Sequence, residues 1–435
     1  MLESGDRAIV DAQIDARGCL IFPGFIDPHV HSRDPGLTEK EDIEHATAGA
    51  AAGGITTIFD MPNTIPPPRN ASILGGRVDE HLGRAFTDFG LWGLAIPGEN
   101  TSDIAQLFRA GAIGVKLFWP FAITKSDNRI VPLPDKWNVE DFILPADNGT
   151  VFELFQTVAE IGGLLAAHCE DPAILNASRA DSLARPASFD TFLRSRPAVA
   201  ESVAVATGIE LARATGCRFH AVHLSTGRAS ELIKQGQNSG AQVSGETCPQ
   251  YLLLSDADYG SIGAAMKVVP PIRGSEEREG LWAGVRSGTI TSLGSDHAPH
   301  TVMEKAQEEF EQQPPGGIGV ETLGPLMINE ALQGRLPLES LAWLLSEGTA
   351  RLYRLFPRKG SLLPGGDADF TIVDPSESFE IRNERLHAKN KLSAWHGRRL
   401  LGRIRWTVLR GETIAVDGEP VGSPRGQFIS PEGRA

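Results

Sequence analysis

The chain has 435 residues, 41% hydrophobic and 22% charged, which suits one large globular domain with a smaller companion. Its net charge of −14 excludes non-specific attraction to nucleic acid or an anionic membrane as the basis of function. No apolar run approaches the roughly 20 residues that cross a bilayer. The four cysteines form no CxxC pair, which excludes a disulfide scaffold and a zinc knuckle.

Taken in chain order, the start MLESGDRAIVDAQ lacks a basic stretch and an apolar h-region, so a cytoplasmic protein is expected. Short apolar runs at residues 19–26, 56–60, 114–118, 164–167, 218–223, 242–246 and 291–294 read as strands. Amphipathic stretches at 40–52, 150–161, 198–214 and 227–237 read as helices between them. Buried strands alternating with helices, in seven or eight units, predict an α/β (β/α)8 TIM-like barrel over residues 23–356. Residues 122–148, rich in Pro and Asp, read as a long loop. From about residue 357 to 435 the pattern changes to short strands broken by Gly, Pro and Asp. With residues 1–22 they predict a small composite β-sandwich.

The chemistry concentrates at the ends of the apolar runs. Asp27-Pro-His29-Val-His31 follows LIFPGFI, and residues two apart on a strand share a face, so His29 and His31 project together. At the C-terminal end of a barrel strand they would stand at an active-site mouth, where neutral imidazole is a common zinc ligand. Lys116 lies in GVKLF among apolar neighbours. A buried lysine needs a partner, an altered pKa or a chemical change. Carboxylation by carbon dioxide would convert it into an anionic ligand able to bridge two cations. The plainer reading is an ammonium that reaches solvent or an acid.

His168 closes LLAAH and His223 closes FHAVH. One such histidine is ordinarily a hydrogen-bonded core residue. Four of the chain's 11 histidines at three strand ends point to metal. His220, three positions before His223, should face the other side of its strand and be structural. Asp296, after TITSLGS, can ligate a metal and exchange a proton; alone it would read as a turn cap. Cys169 and Cys248 read as buried structural thiols. Such a set suits amide hydrolysis, because metal ions polarise the carbonyl and lower the pKa of bound water to about 7.

PGFIDPHVHSRDPGLTEKED, GGITTIFDMPNT, SRPAVAE, GETCPQYL, KVVPPIR and GSDHAPHTVMEK occur in the order found in the amidohydrolase superfamily, and nearly the whole chain resembles its cyclic amidase branch. The resemblance implies a small-molecule cyclic amide substrate, two divalent metal ions, zinc first, and a homo-oligomer, dimer or tetramer. It implies that His29 and His31 hold the more buried metal, His168 and His223 the other, and a carboxylated Lys116 bridges them. A bridging hydroxide would attack the ring carbonyl, with Asp296 as general base and then acid. It also implies more sandwich strands than the 28 residues before His29 supply. DPHVHSRDP and GSDHAPH with Lys305 are similar to dihydroorotase. There Arg33, Asn63 and His300 would hold a substrate carboxylate, Arg33 through its two-pronged guanidinium. The expected reaction is therefore reversible opening of dihydroorotate to N-carbamoyl-aspartate, within pyrimidine biosynthesis. GVKLFWPFAIT, GETCPQYLLL and KVVPPIR resemble hydantoinase (dihydropyrimidinase) and allantoinase equally, which keeps a related cyclic ureide as the alternative substrate. A catalytically silent scaffold is the alternative outside the enzymes. Gly316-Gly317 would line the substrate pocket with backbone groups.

Overall fold

The computed structural model describes residues 13–132, 139–182 and 185–431. Leu20–Pro23 (β1) and Phe25–Val30 (β2) are two strands, where the sequence pattern predicted one run over 19–26. The break is Gly24, which no larger residue could replace: a Cβ there would lie 2.3 Å from Thr56 Oγ1 and 2.8 Å from Asp369 Cβ. β1 turns away to an antiparallel sheet, and β2 opens the barrel.

The barrel continues through Ile43–Ala52 (α1), Ile55–Asp60 (β3), Ala71–His81 (α2), Asp88–Leu94 (β4), Ile104–Arg109 (α3) and Gly114–Phe118 (β5). An excursion follows that the pattern predicted as a loop. Ala122–Thr124 (β6), Ile130–Val131 (β7) and Phe142–Ile143 (β8) form a small antiparallel sheet beside β5. Asn148–Glu160 (α4) and Leu164–His168 (β9) resume the alternation. Next come Pro172–Ser182 (α5), Phe189–Ser195 (α6) and Ala198–Thr215 (α7). Arg218–Ala221 (β10), Gly227–Asn238 (α8), Val243–Thr247 (β11) and Ile290–Leu293 (β12) complete the barrel strands. Local sequence sets many helix starts: Asp42, Asn70, Asp147 and Thr226 each accept a backbone N–H of the first turn.

The eight strands run in parallel order β2-β3-β4-β5-β9-β10-β11-β12. β4, DFGLWGL, had no place among the predicted strands because two glycines dilute its apolar pattern. Those glycines are packing positions: a Cβ on Gly90 would come 2.8 Å from both Phe59 and Ile113. Between β12 and β2 the barrel closes without a full ladder. The His31 amide donates to His297 O (2.7 Å), and the Ser295 amide donates to Asp27 Oδ1 (3.0 Å). Ile26, Phe59, Trp92, Leu164, Val222 and Tyr353 fill the lower interior, so the barrel is a packed core and not a pore. The second core lies between strands and surrounding helices.

The tail supplies Phe370–Glu380 (β13), Arg399–Leu409 (β14), Glu412–Val416 (β15) and Glu419–Pro420 (β16). They form an antiparallel sheet in the order β1-β13-β14-β15-β16, drawn from both ends of the chain as predicted. Residues 427–429 return under the barrel and exchange backbone hydrogen bonds with Phe89. No helix among the described residues is long and apolar enough to cross a membrane.

Candidate metal centre

Six side chains singled out from sequence meet at the C-terminal end of the barrel. His29 and His31, from the end of β2, are both buried. His29 Nδ1 lies 2.8 Å from Glu246 Oε1 on β11, which leaves Nε2 free to face Asp296 Oδ1 at 3.4 Å. His31 Nε2 faces the same oxygen at 3.3 Å, and its Nδ1 meets Asn63 Oδ1. One donor atom from each of His29, His31 and Asp296 falls within 4.8 Å of the others. Asp296 follows β12 at φ +49°, and Gly294 clears the approach: a Cβ there would stand 2.8 Å from His29.

A second pair adjoins the first. His168 Nδ1 lies 3.1 Å from His223 Nε2, and the His29 and His223 rings are 5.2 Å apart. His168 Nε2 lies 2.6 Å from Glu170 Oε2, so a proton on Nε2 leaves Nδ1 as a lone pair facing inward. His223 leaves its strand at φ +39°. Burial, with His168, Lys116 and His29 adding to it, holds His223 well below its ordinary pKa of 6.5 and thus neutral. Burial likewise lowers His31 to about 4. Neutral imidazole is the ligating form.

Lys116, on β5, is completely buried, and its Nζ has no hydrogen-bond partner among the described residues. Burial lowers it from 10.5 to about 8, with Glu246 and Asp296 acting against that shift. Burial alone would raise Asp296, but His29, His31 and Lys116 outweigh it and keep the carboxylate ionised. The orphaned amine, four imidazoles and one carboxylate form a donor set suited to divalent cations.

The three residues expected to clamp a carboxylate are occupied differently. Asn63 spends its carbonyl oxygen on His31, and Arg33 Nε donates to Pro299 O at 3.3 Å. His300 contacts Pro315 O (3.1 Å) and Lys40 Nζ (3.2 Å) through its two ring nitrogens. Burial, Arg33, Lys40 and Lys305 depress it to about 2, so it carries no charge for an anion. Gly316, at φ +142°, packs against Ala298 O and His300. His220 is hydrogen-bonded to Ser244 (2.7 Å), the structural role expected, yet it does not face away: its Nε2 lies 3.7 Å from Glu246. The positive φ at His223 ends the strand alternation on which that expectation rested. Cys169 and Cys248 are buried free thiols raised by burial, as expected.

Sequence reasoning assigned no role to the groups that orient the histidines. These are Glu246 for His29, Glu170 for His168, and Asp27, whose carboxylate accepts the His29 amide at 3.1 Å. Their signal was a buried acid within two residues of a ligand or at a strand end. A cavity of about 320 Å3 opens beside the centre. Phe121, Leu175, Phe192 and Phe310 line it with Arg179 and Arg196, and Phe121 stands edge-on to His168 at 5.0 Å.

The amidohydrolase family model matches residues 20–413. An allantoinase of Rubrobacter xylanophilus is 38% identical, covering 99% of this chain and 91% of that protein. An L-hydantoinase of Paenarthrobacter aurescens is 32% identical over 98% and 91%. The solved L-hydantoinase of Arthrobacter aurescens superposes with a TM-score of 0.89 at 32% identity, covering 98% of this chain and 93% of that one. These full-length relatives are named allantoinase and hydantoinase, which overturns the dihydroorotase reading and the pyrimidine-biosynthetic role attached to it. The site adds a physical reason: both ring nitrogens of His300 are already engaged, by Pro315 O and Lys40 Nζ, so one of the three groups that reading required is not available to an anion. Full-length match, strand order and site composition agree: this chain belongs to the amidohydrolase family, in its cyclic amidase branch.

Proposed function

We propose that this chain hydrolyses a ring amide C–N bond of a cyclic ureide, allantoin first, using two divalent metal ions. The observation that carries the reading is the convergence of His29, His31, Asp296, His168 and His223 around a buried lysine with no hydrogen-bond partner. His29, His31 and Asp296 would hold one ion, and His168 and His223 the other. A carboxylated Lys116 would contact both. Zinc suits the imidazole-rich set. Bound there, the ions supply polarisation of the scissile carbonyl and a lowered pKa for water.

The chain's own groups supply the rest. Burial brings Lys116 down to about 8, so near neutral pH a useful fraction is the free amine. Only that form adds to the carbon of carbon dioxide and sheds a proton to become the carbamate. Asp296, ionised and facing both His29 and His31, is placed to accept a proton from the attacking water. It then returns that proton to the ring nitrogen as the C–N bond breaks. Glu246 and Glu170 fix the tautomers of His29 and His168. Phe121, Leu175, Phe192 and Phe310 favour a second reading, a hydantoin with a bulky apolar substituent.

The test is a substrate panel with metal analysis. Purified protein should contain about two equivalents of divalent metal and open allantoin or a substituted hydantoin faster than dihydroorotate. Full activity without metal, or no turnover of any cyclic ureide, would overturn the proposal. A silent scaffold would show the latter.

A further inference from the structure

His168 closes β9, His223 lies two residues past the end of the neighbouring β10, and each adjoins a bonded element that fixes its place. For His168 it is Glu170, gripped by Arg196 through Nε (3.1 Å) and Nη2. For His223 it is the turn between β10 and α8. There Glu201 accepts the Ser225 amide (3.0 Å), Thr226 amide (3.0 Å), Ser225 hydroxyl (2.5 Å) and Thr226 hydroxyl (2.6 Å). Glu201 is buried, so those four bonds have no water to compete with. One residue joins the supports. Arg273 donates Nε to Ser225 Oγ (3.0 Å) and Nη1 to Arg196 O (2.9 Å). A closed ring results, part hydrogen bond and part backbone. It runs from His168 to Glu170 to the Arg196 guanidinium, and from the Arg196 carbonyl to Arg273 and Ser225. It then follows the backbone to His223, whose Nε2 lies 3.1 Å from His168 Nδ1.

We infer that Arg273 is a positioning residue that sets the separation of His168 and His223, and so governs one of the two metal positions selectively. It touches neither histidine and acts through their supports. His29, His31 and Asp296 are held by other groups, Glu246, Asn63 and Asp27 among them, and no bond of the ring reaches those three. The inference rests on the two-metal reading above. Its geometry is specific to arginine, because the planar guanidinium spans two acceptors in fixed directions while an ammonium carries one short arm.

Arg273→Met, Arg273→Lys and Ser225→Ala should be compared with the full-length wild type. Each is equilibrated against graded free zinc, and bound metal per chain is measured. Arg273→Met is expected to keep one equivalent at wild-type affinity and bind the other about 10–100-fold more weakly, the scale seen when a ligand's outer partners are lost. Ser225→Ala removes the link from Arg273 to the turn together with one hydroxyl bond to Glu201, leaves Glu201 both backbone amides and the Thr226 hydroxyl, and should show the same selective loss. Arg273→Lys should be intermediate. The two milder variants carry the test if Arg273→Met does not fold. Two equivalents at wild-type affinity in the variants, or equal weakening of both, overturns the inference and leaves the two-metal reading intact. A wild type unable to hold two equivalents overturns both. The unfolding midpoint of metal-free protein separates positioning from scaffolding: a purely structural arginine lowers it without selectivity between the ions, and that result also overturns the inference.

Discussion

Two lysines are buried at opposite ends of this barrel, and their surroundings are opposite as well. Lys359, at the lower end, has Asp88 and Asp369 at 2.6 Å and Asp367 at 3.0 Å, with Arg410 also on Asp88. Burial would lower Lys359, but Asp88 and Asp369 outweigh it and its affinity for a proton rises. Lys116, at the upper end, has no hydrogen-bond partner among the described residues and its affinity falls. The same residue type, equally removed from water, is a tie between barrel and tail in one place and an unmet demand in the other. Burial of a charge is therefore uninformative until its partners are counted.

The comparison can be broken at either end. The largest effect should come from Lys116→Met, with activity falling by about a thousandfold or more, since on the proposed two-metal reading the ions would lose a shared anionic ligand. Metal-free Lys116→Met should unfold no more readily than metal-free wild type, because an uncompensated buried group is replaced by an apolar one. A lower midpoint would show that Lys116 is structural, like Lys359. Lys359→Met should do the reverse. Three carboxylates lose a shared cation, and the cost should be about 3–5 kcal/mol of stability, read by denaturant unfolding, as when one partner of a buried ion pair is removed. Unchanged stability would remove the contrast.

The smallest effect is a pH slope. Folded metal-free protein releases the Lys116 proton near 8 and the unfolded chain near 10.5. Between those values the unfolded state binds more protons, so this group makes stability rise with pH. Lys359 has the opposite sign: its contribution is complete below 10.5 and is lost as pH rises through its higher folded value. Wild type should therefore gain stability relative to Lys116→Met as pH moves from 8 toward 10.5. Parallel curves would mean that Lys116 is paired in solution.

What the sequence revealed follows the same division. Metal-type residues at the ends of apolar runs were visible because strand spacing fixes which side chains share a face. His29 and His31 are the clearest case. Lys116 stood out because GVKLF leaves a charge no local partner. The orienting acids were harder, since Glu246 is 217 positions from His29 and only the fold brings them together. The β4 strand was hidden by glycines whose value lies in what packs against them. Substrate choice was misread for a related reason. Arg33, Asn63 and His300 have the right chemistry for a carboxylate, yet sequence does not show that both ring nitrogens of His300 are already engaged.

The unladdered seam has one further consequence. Asp27 and Ser295 are 268 positions apart, and their hydrogen bond stands where the barrel's first strand finds its last. The donor atoms of His29, His31 and Asp296 sit across that same gap. The catalytic pocket and the closure of the cylinder thus share one set of contacts, and whatever bolts those three side chains together also fastens the two ends of the domain.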